Sequence, residues 1–294
     1  MMITPLFIQN YPPDSQAFRD LVSRQVEAAL AEDIGTGDLT ASLLPEKQQA
    51  HATIITREDA VLCGTAWAEA CFKQLDPTVD ITWHANEGQS VKANQTLCEI
   101  SGSARAILSA ERCVLNFLQT LSAVATQTRR YVDAISGTQA QILDTRKTIP
   151  GLRLAQKYAV TVGGGMNQRL ALYDGILIKE NHIASAGGIK PALEAASRLA
   201  SEAGKKIPVQ IEVETLSELK QALSAGATSI LLDDFSLEDM REAVRITQQR
   251  ALLEASGGVD LSTVRNIAET GVDRISIGSL TKHIRAIDLS LRIK

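Results

Sequence analysis

Six short apolar runs in the last two-thirds of the chain each stop on residues that a buried strand does not favour, and this constrains the fold more than any other feature. The runs are Gln141–Asp144, Gly175–Ile178, Val209–Val213, Ser229–Leu232, Ala251–Leu253 and Arg274–Ile277. They end on Thr145-Arg146-Lys147, Lys179-Glu180, Glu212-Val213-Glu214, Asp233-Asp234, Ser256-Gly257-Gly258 and Gly278-Ser279. Strand centres recur every 20–35 residues with alanine-rich helical sequence between them, such as Lys190–Ala203 and Ser217–Ala225, which predicts βα units. In a barrel of parallel strands all the C-terminal ends open on one face, where such enzymes keep their active sites. Cations, carboxylates and glycines would therefore meet in one mouth. The Gly and Ser ends come last, and the loops after the final strands of such barrels often hold a phosphate. The expectation is an enzyme with a phosphorylated, anionic ligand.

A closed barrel of this kind needs roughly eight strands, and the pattern supplies six. Tyr158–Val162 fits either a seventh strand or the end of a helix that starts after Pro150, and periodicity leaves both open. The fold class expected is α/β, an incomplete (β/α) barrel of six to seven strands with an N-terminal α+β sandwich domain. Gly204, Gly226 and Gly271 fall where helix C-caps belong.

The front third is organised differently. Phe18, Leu21, Val22, Val26 and Leu30 recur at helical intervals within 17–32, and the pattern breaks at Gly35-Thr36-Gly37. Strand-like pieces follow at Ala52–Thr56, Val79–Trp83 and Thr96–Ile100, with a helix across Ala66–Leu75. Glu87-Gly88-Gln89-Ser90-Val91 resembles a turn of biotinyl or lipoyl carrier domains, but no lysine sits at the hairpin tip, so only shared β-architecture is implied. A long helical stretch, Ala104–Ile135, suits a connector or a dimer contact. The expected division is a sandwich domain over 1–117 and a barrel over 118–280, with 281–294 packing on the first domain.

Composition narrows the partners. The net charge of −4 offers no global basic field for nucleic acid or an acidic membrane. The four cysteines, at 63, 71, 98 and 113, form no C-x-x-C pair and read as buried free thiols of a reducing compartment. The proline-interrupted N-terminus lacks the basic region of a secretory signal, and no apolar run approaches the roughly 20 residues needed to span a bilayer. A cytoplasmic protein is expected.

Several motifs compete. Ile230-Leu231-Leu232-Asp233-Asp234 could be the metal-binding strand of a P-loop NTPase, but no G-x-x-x-x-G-K-[ST] is present. The same pattern opens the ribose-phosphate loop of type I phosphoribosyltransferases, where a Thr-Gly should follow; here Phe235-Ser236-Leu237 does. The histidines at 51, 84, 182 and 283 are isolated, which gives no support for zinc. Lys147 or Lys179 at a strand end would suit a Schiff-base aldolase acting on a phosphorylated sugar, the strongest alternative from spacing alone.

Longer motifs decide among these. Asp144-Thr145-Arg146-Lys147-Thr148-Ile149-Pro150-Gly151-Leu152-Arg153, Gly163-Gly164-Gly165-x-Asn167-x-Arg169 and Leu177-Ile178-Lys179-Glu180-Asn181-His182 resemble quinolinate phosphoribosyltransferases. The resemblance runs nearly end to end, from Glu32-Asp33-x-Gly35-x-Gly37-Asp38-Leu39-Thr40 through Ala110-Glu111-Arg112, Glu212-x-Glu214 and Ser256-Gly257 to Ser276-x-Gly278-Ser279-Leu280-Thr281. A related family linked to molybdenum transport shares some of these motifs.

The resemblance implies transfer of phosphoribosyl from 5-phosphoribosyl-1-diphosphate to quinolinate with decarboxylation, giving nicotinate mononucleotide, pyrophosphate and CO2, with Mg2+ as cofactor. It further implies that Thr145, Arg146, Gln168, Arg169 and Lys179 bind substrate, with Arg112 reaching the partner's site in a homodimer. Lys147, Lys179, Glu212 and Asp233 would be catalytic, and Glu212 and Asp233 would also be the candidate Mg2+ ligands. Ser256, Gly257, Gly278 and Ser279 would hold the 5-phosphate. The residue types suit that chemistry: guanidinium binds carboxylate bidentately, fixed carboxylates stabilise an oxocarbenium-like ribosyl centre, and glycine lets backbone N–H groups approach phosphate. One departure is Gln168, where the family pattern has histidine; an amide can still donate a hydrogen bond but carries no charge. Bland readings stand beside these roles. A strand-end Arg or Lys is often a solvated charge, Asn181-His182 could only cap the next helix, and Gly163–Gly165 could be only a turn. A non-catalytic sensor of pyridine metabolites would keep the arginines but need no oxocarbenium stabiliser.

Overall fold

The structure, a computed structural model, describes residues 4–203 and 207–294; Gly204 lies outside the described residues. The strands in chain order are β1 (Gln49–Thr56), β2 (Ala60–Val61), β3 (Asp80–Trp83), β4 (Ser90–Val91), β5 (Thr96–Ser103), β6 (Gln141–Leu143), β7 (Ile176–Ile178), β8 (Val209–Val213), β9 (Ser229–Asp233), β10 (Leu252–Ser256), β11 (Arg274–Ser276) and β12 (Leu289–Ile293). The chain divides into two compact units. The first holds the described residues up to Arg129 together with 148–164 and 280–294, and the second holds 130–147 and 165–279. The boundary expected at 117/118 falls inside the continuous helix Ala104–Ala134.

In the first unit an antiparallel sheet runs in the order β12-β1-β5-β3. Along β1 buried and more exposed residues alternate, as a strand with one face on the core requires. The C-terminal strand pairs with β1 from Ala52↔Ile293 to Thr56↔Leu289. The helix Gln16–Ile34 is capped by Ser15, whose side chain accepts from Phe18 N, and it buries Phe18, Leu21, Val22, Val26 and Leu30. Residues 148–164 join this unit because the helix Arg153–Val162 buries Ala155, Tyr158 and Ala159, and the Tyr158 ring lies against Phe7, Phe18 and Trp67 at centroid distances of 5.3–5.6 Å. Gly163 closes that helix against a second one: a Cβ there would come within 2.6 Å of Ala125 O and Thr128 Cβ. Its glycine is a requirement of packing, so the flexible-turn reading does not apply to it.

The second unit is built on a parallel six-stranded sheet in the order β6-β11-β10-β9-β8-β7. Its first strand in sequence lies beside its last, as in an α/β barrel. Tyr158–Val162 ends the helix Arg153–Val162, so it supplies no strand. The seventh position is instead a single parallel bridge, Leu143↔Met166, held by Met166 N to Ile142 O at 2.8 Å and Asp144 N to Met166 O at 3.2 Å. The fold is thus an incomplete barrel. The strand expected at Ala251–Leu253 is observed as Leu252–Ser256 and passes through Glu254, a residue 1% exposed that the pattern had read as lying beyond the strand. Gly226 and Gly271 adopt the left-handed conformation expected of helix caps, with φ of +83° and +93°. All four cysteines are buried and free. Among the described residues no helix is long and apolar enough to cross a membrane.

Candidate active site

Every site residue expected from the sequence except Arg112 belongs to the second unit; Arg112 is exposed on the helix Ala104–Ala134 in the first. The strand ends bring the others into specific pairs. Lys179 follows β7, and its Nζ donates to both carboxylate oxygens of Glu212 on the neighbouring β8, at 2.9 and 2.7 Å. The lysine side chain is 45% exposed and the glutamate 8%, so a buried carboxylate is matched by a cation at the rim. His182 takes the bland role: its Nδ1 accepts from Lys179 N at 3.0 Å, which ties the start of the helix Glu180–Ala186 to the lysine.

Two guanidinium groups meet nearby. Burial pulls the Arg169 pKa below its ordinary value, and the charge of Arg146 adds to the effect. Arg146 Nε is buried without a hydrogen-bond partner. Like charges and an orphaned buried donor are costly, and an anion is the group that would offset both. Arg169 is aimed by its own loop. Its Nη1 donates to Gly175 O at 2.9 Å, and the Asp174 carboxylate accepts from Leu170 N and Ala171 N at 2.7 and 2.8 Å. Asp174 carried no signal in the sequence.

Gln168 is held from two sides. Its backbone N donates to Asp144 Oδ1 at 3.0 Å, and its side-chain Nε2 donates to Gln210 Oε1 at 2.9 Å. Asp144 is fully buried and also accepts from Asn167 Nδ2 at 2.7 Å. Its place at the head of the Asp-Thr-Arg-Lys motif was visible, but its work as a clamp on Asn167-Gln168 was not.

The remaining strand ends form a small cradle. Asp233 and Ser256 end β9 and β10 in register with one another. Gly278 lies under Lys147, since a Cβ there would come within 2.9 Å of Lys147 Cδ and 3.6 Å of Thr145 Oγ1. Gly257 has φ +103°, and a Cβ on it would fall 1.8 Å from Asp234 Oδ1, so both backbone and neighbour demand glycine. Ser279 Oγ is a second buried polar atom with no partner.

A mouth that offers paired guanidiniums, strand-end lysines and a glycine-serine cradle is that of an enzyme moving a phosphorylated sugar onto an anionic acceptor. The model of the quinolinate phosphoribosyl transferase C-terminal domain matches residues 124–292, and that of the N-terminal domain matches 38–122. A probable nicotinate-nucleotide pyrophosphorylase (carboxylating) of Bacillus subtilis is 40% identical over 262 residues, covering 89% of this chain and 90% of that one. The chloroplastic enzyme of that name from rice, Oryza sativa, is 40% identical over 285 residues, covering 91% and 76%. The solved nicotinate-nucleotide pyrophosphorylase of Francisella tularensis superposes with a TM-score of 0.89 at 50% identity, covering 94% of this chain and 97% of that one. The chain belongs to the quinolinate phosphoribosyltransferase family. Its reaction transfers phosphoribosyl from 5-phosphoribosyl-1-diphosphate to quinolinate with loss of CO2, giving nicotinate mononucleotide and pyrophosphate in NAD biosynthesis.

Proposed function

We propose that the strand ends divide this reaction among themselves, and the observation that carries the division is the Arg146–Arg169 pair with its orphaned Nε. Quinolinate has two adjacent carboxylates, and two permanent planar cations bind them while remaining charged at any working pH. Thr145 and Gln168 flank that acceptor site. Lys147, laid across Gly278, sits where a point charge meets the diphosphate and the 5-phosphate cradle of Ser256, Gly257, Gly278 and Ser279. Glu212 and Asp233, on neighbouring strands, face the ribosyl carbon and stabilise the positive charge that grows as the C1–diphosphate bond breaks. Lys179 holds Glu212 in place and is within reach of substrate anions. Once the pyridine nitrogen is alkylated, the ring cation stabilises the carbanion left by decarboxylation.

Mg2+ fits this donor set as a proposed cofactor. It takes one or two carboxylates and fills its shell with substrate phosphate and water, and Glu212 with Asp233 offers those two carboxylates. When bound it neutralises the diphosphate leaving group.

The active unit in this reading is a homodimer in which Arg112 serves the partner's site, because it is an exposed cation outside the strand-end set. Cytoplasmic residence is part of the proposal and rests on the four buried free thiols.

The test is incubation with quinolinate, 5-phosphoribosyl-1-diphosphate and Mg2+, measuring CO2 and nicotinate mononucleotide. Product with quinolinate and little with nicotinate is expected, since a single carboxylate leaves a buried cation unpaired at about 1–3 kcal/mol. Equal turnover of nicotinate rejects the acceptor assignment. Arg112→Ala and Lys147→Ala, each inactive, should regain part of the activity when mixed, and no recovery in verified heterodimers places Arg112 in its own site.

A further inference from the structure

Beneath the mouth, polar side chains continue inward along a line that the reaction does not call for. Gln210 lies two residues before Glu212 on β8, so both share one face of the strand. Gln210 Oε1 accepts from Gln168 Nε2, and its own Nε2 donates to Glu254 Oε2 at 2.9 Å. Glu254 is 1% exposed and Gln210 is 7% exposed. The second oxygen of Glu254, Oε1, has no partner of good hydrogen-bond geometry; the Ser276 hydroxyl is near enough to favour its charged form but donates to Ala255 O. A core chosen for stability alone would replace such a partly satisfied chain with apolar side chains of the same volume.

The chain has a sense. A carboxylate oxygen at the inner end can only accept from Gln210, so the Gln210 amide must turn its NH2 inward and its carbonyl outward. The outward carbonyl in turn requires the NH2 of Gln168. A symmetric pair of glutamines has no such preference, since either amide can donate to the other. The buried carboxylate removes the ambiguity two links away, at the residue beside Arg169.

We propose that Gln210 and Glu254 are positioning residues that fix the amide sense and rotamer of Gln168, and through it the binding of quinolinate. The inference rests on the placement of Gln168 in the acceptor site. Burial also drives the Glu254 carboxyl above its ordinary range, with Asp144 adding to the rise and Gln210, Ser276 and Arg274 opposing it. A protonated Glu254 can still accept from Gln210 through its carbonyl oxygen, but only the ionised form forbids the opposite sense.

The experiment is a steady-state comparison of Gln168→Ala, Gln210→Met, Glu254→Met, Glu254→Gln and the double variant Gln168→Ala/Gln210→Met. The expected result is that Gln210→Met and Glu254→Met each raise the KM for quinolinate about tenfold, the effect of one neutral hydrogen bond. The KM for 5-phosphoribosyl-1-diphosphate should stay within about twofold. Glu254→Gln keeps the packing but can donate as well as accept, so it no longer imposes the sense and should raise the quinolinate KM by part of the Glu254→Met effect; a wild-type quinolinate KM in this variant overturns the sense argument. In the double variant, Gln210→Met should add nothing to Gln168→Ala, because its effect passes through that residue. Additive losses, equal losses for both substrates, or a Gln168→Ala protein with wild-type quinolinate KM each overturn the proposal. Failure of the functional reading is separate from these, since it shows as absence of turnover in the wild-type protein. If a Met variant does not fold, Glu254→Gln against Gln168→Ala/Glu254→Gln provides the same test of additivity.

Discussion

The two units bury polar groups under different rules. In the first, buried hydroxyls close on nearby backbone: Ser122 Oγ accepts from Cys63 N and donates to Cys63 O at 2.9 and 3.2 Å. Thr126 Oγ1 likewise accepts from Val61 N and donates to Ser122 O at 2.8 and 2.6 Å. These bonds serve a helix and an edge strand and ask nothing of a ligand. The second unit also has a hydroxyl of that kind, Thr270 Oγ1 donating to Ile267 O at 2.7 Å, but it adds buried carboxylates and amides that bond to other side chains: Asp144 to Asn167, Glu212 to Lys179, and Glu254 to Gln210. Among the described residues four orphaned atoms, Arg146 Nε, Thr247 Oγ1, Glu254 Oε1 and Ser279 Oγ, belong to this unit, and one, Ser290 Oγ, belongs to the first. Buried polar atoms without partners are rare because each costs stability, and they persist where a ligand or a positioning task compensates. The contrast that marks the candidate site is therefore the buried carboxylates and amides joined side chain to side chain, without reference to any motif.

The largest effect that would sharpen this contrast is at Arg169. Replacement by Ala removes a permanent cation from the proposed site of a dianion, an interaction worth about 2–5 kcal/mol when its partner is left buried and unpaired. The expected outcome is a fall in kcat/KM for quinolinate of roughly 30- to several-thousand-fold. The melting temperature should hardly move, because the charge being removed is already disfavoured by burial and by Arg146. A large loss of stability with little loss of activity would place Arg169 among the scaffold residues.

The next effect is on stability. Lys179→Met strands the Glu212 carboxylate, which is 8% exposed, and should cost about 1–3 kcal/mol, discounted because the lysine is half in solvent. Lys179→Met/Glu212→Gln should regain most of that loss in a thermal melt while staying inactive. The counterpart in the first unit is Lys92–Asp59, an exposed pair at 2.8 Å. Lys92→Ala should leave the melting temperature unchanged, and equal losses at the two pairs would break the comparison.

Much of the candidate site was legible in the sequence because its proposed parts lie at strand ends, where a change from apolar to charged residues is itself the signal. Lys147, Lys179, Glu212, Asp233 and the Ser256-Gly257 and Gly278-Ser279 pairs all announced themselves in this way. What stayed hidden depends on register between strands. Gln210 and Glu254 are separated by 44 positions, and only the pairing of β8 with β9 and β9 with β10 brings them within a hydrogen bond. Glu254 also misled the reading of β10, since a charge inside a run looks like its end. Residues 148–164 follow the second unit's first strand yet belong to the first unit, because Tyr158 packs among aromatic residues drawn from positions 7, 18 and 67. The seventh strand eluded the pattern because Met166 makes one bridge and no periodic run.

The smallest effect concerns pH. Glu254 is a buried carboxyl of the second unit, and desolvation raises its pKa above the ordinary 4.5. The unfolded chain releases that proton near the ordinary value, while the folded protein holds it longer. The stability this group contributes is therefore fully present below about 4.5 and is lost as pH rises from there through the raised folded value. Glu254→Gln abolishes the titration while keeping a hydrogen-bond acceptor for Gln210. The melting temperature of the variant minus that of wild type should accordingly grow as pH rises above 4.5 and level off once the wild-type carboxyl has ionised. The plateau locates the folded pKa of Glu254 directly. A difference that stays flat across the whole range means that Arg274 and Gln210 compensate the burial fully, and Glu254 would then obey the same rule as the closed hydroxyls of the first unit.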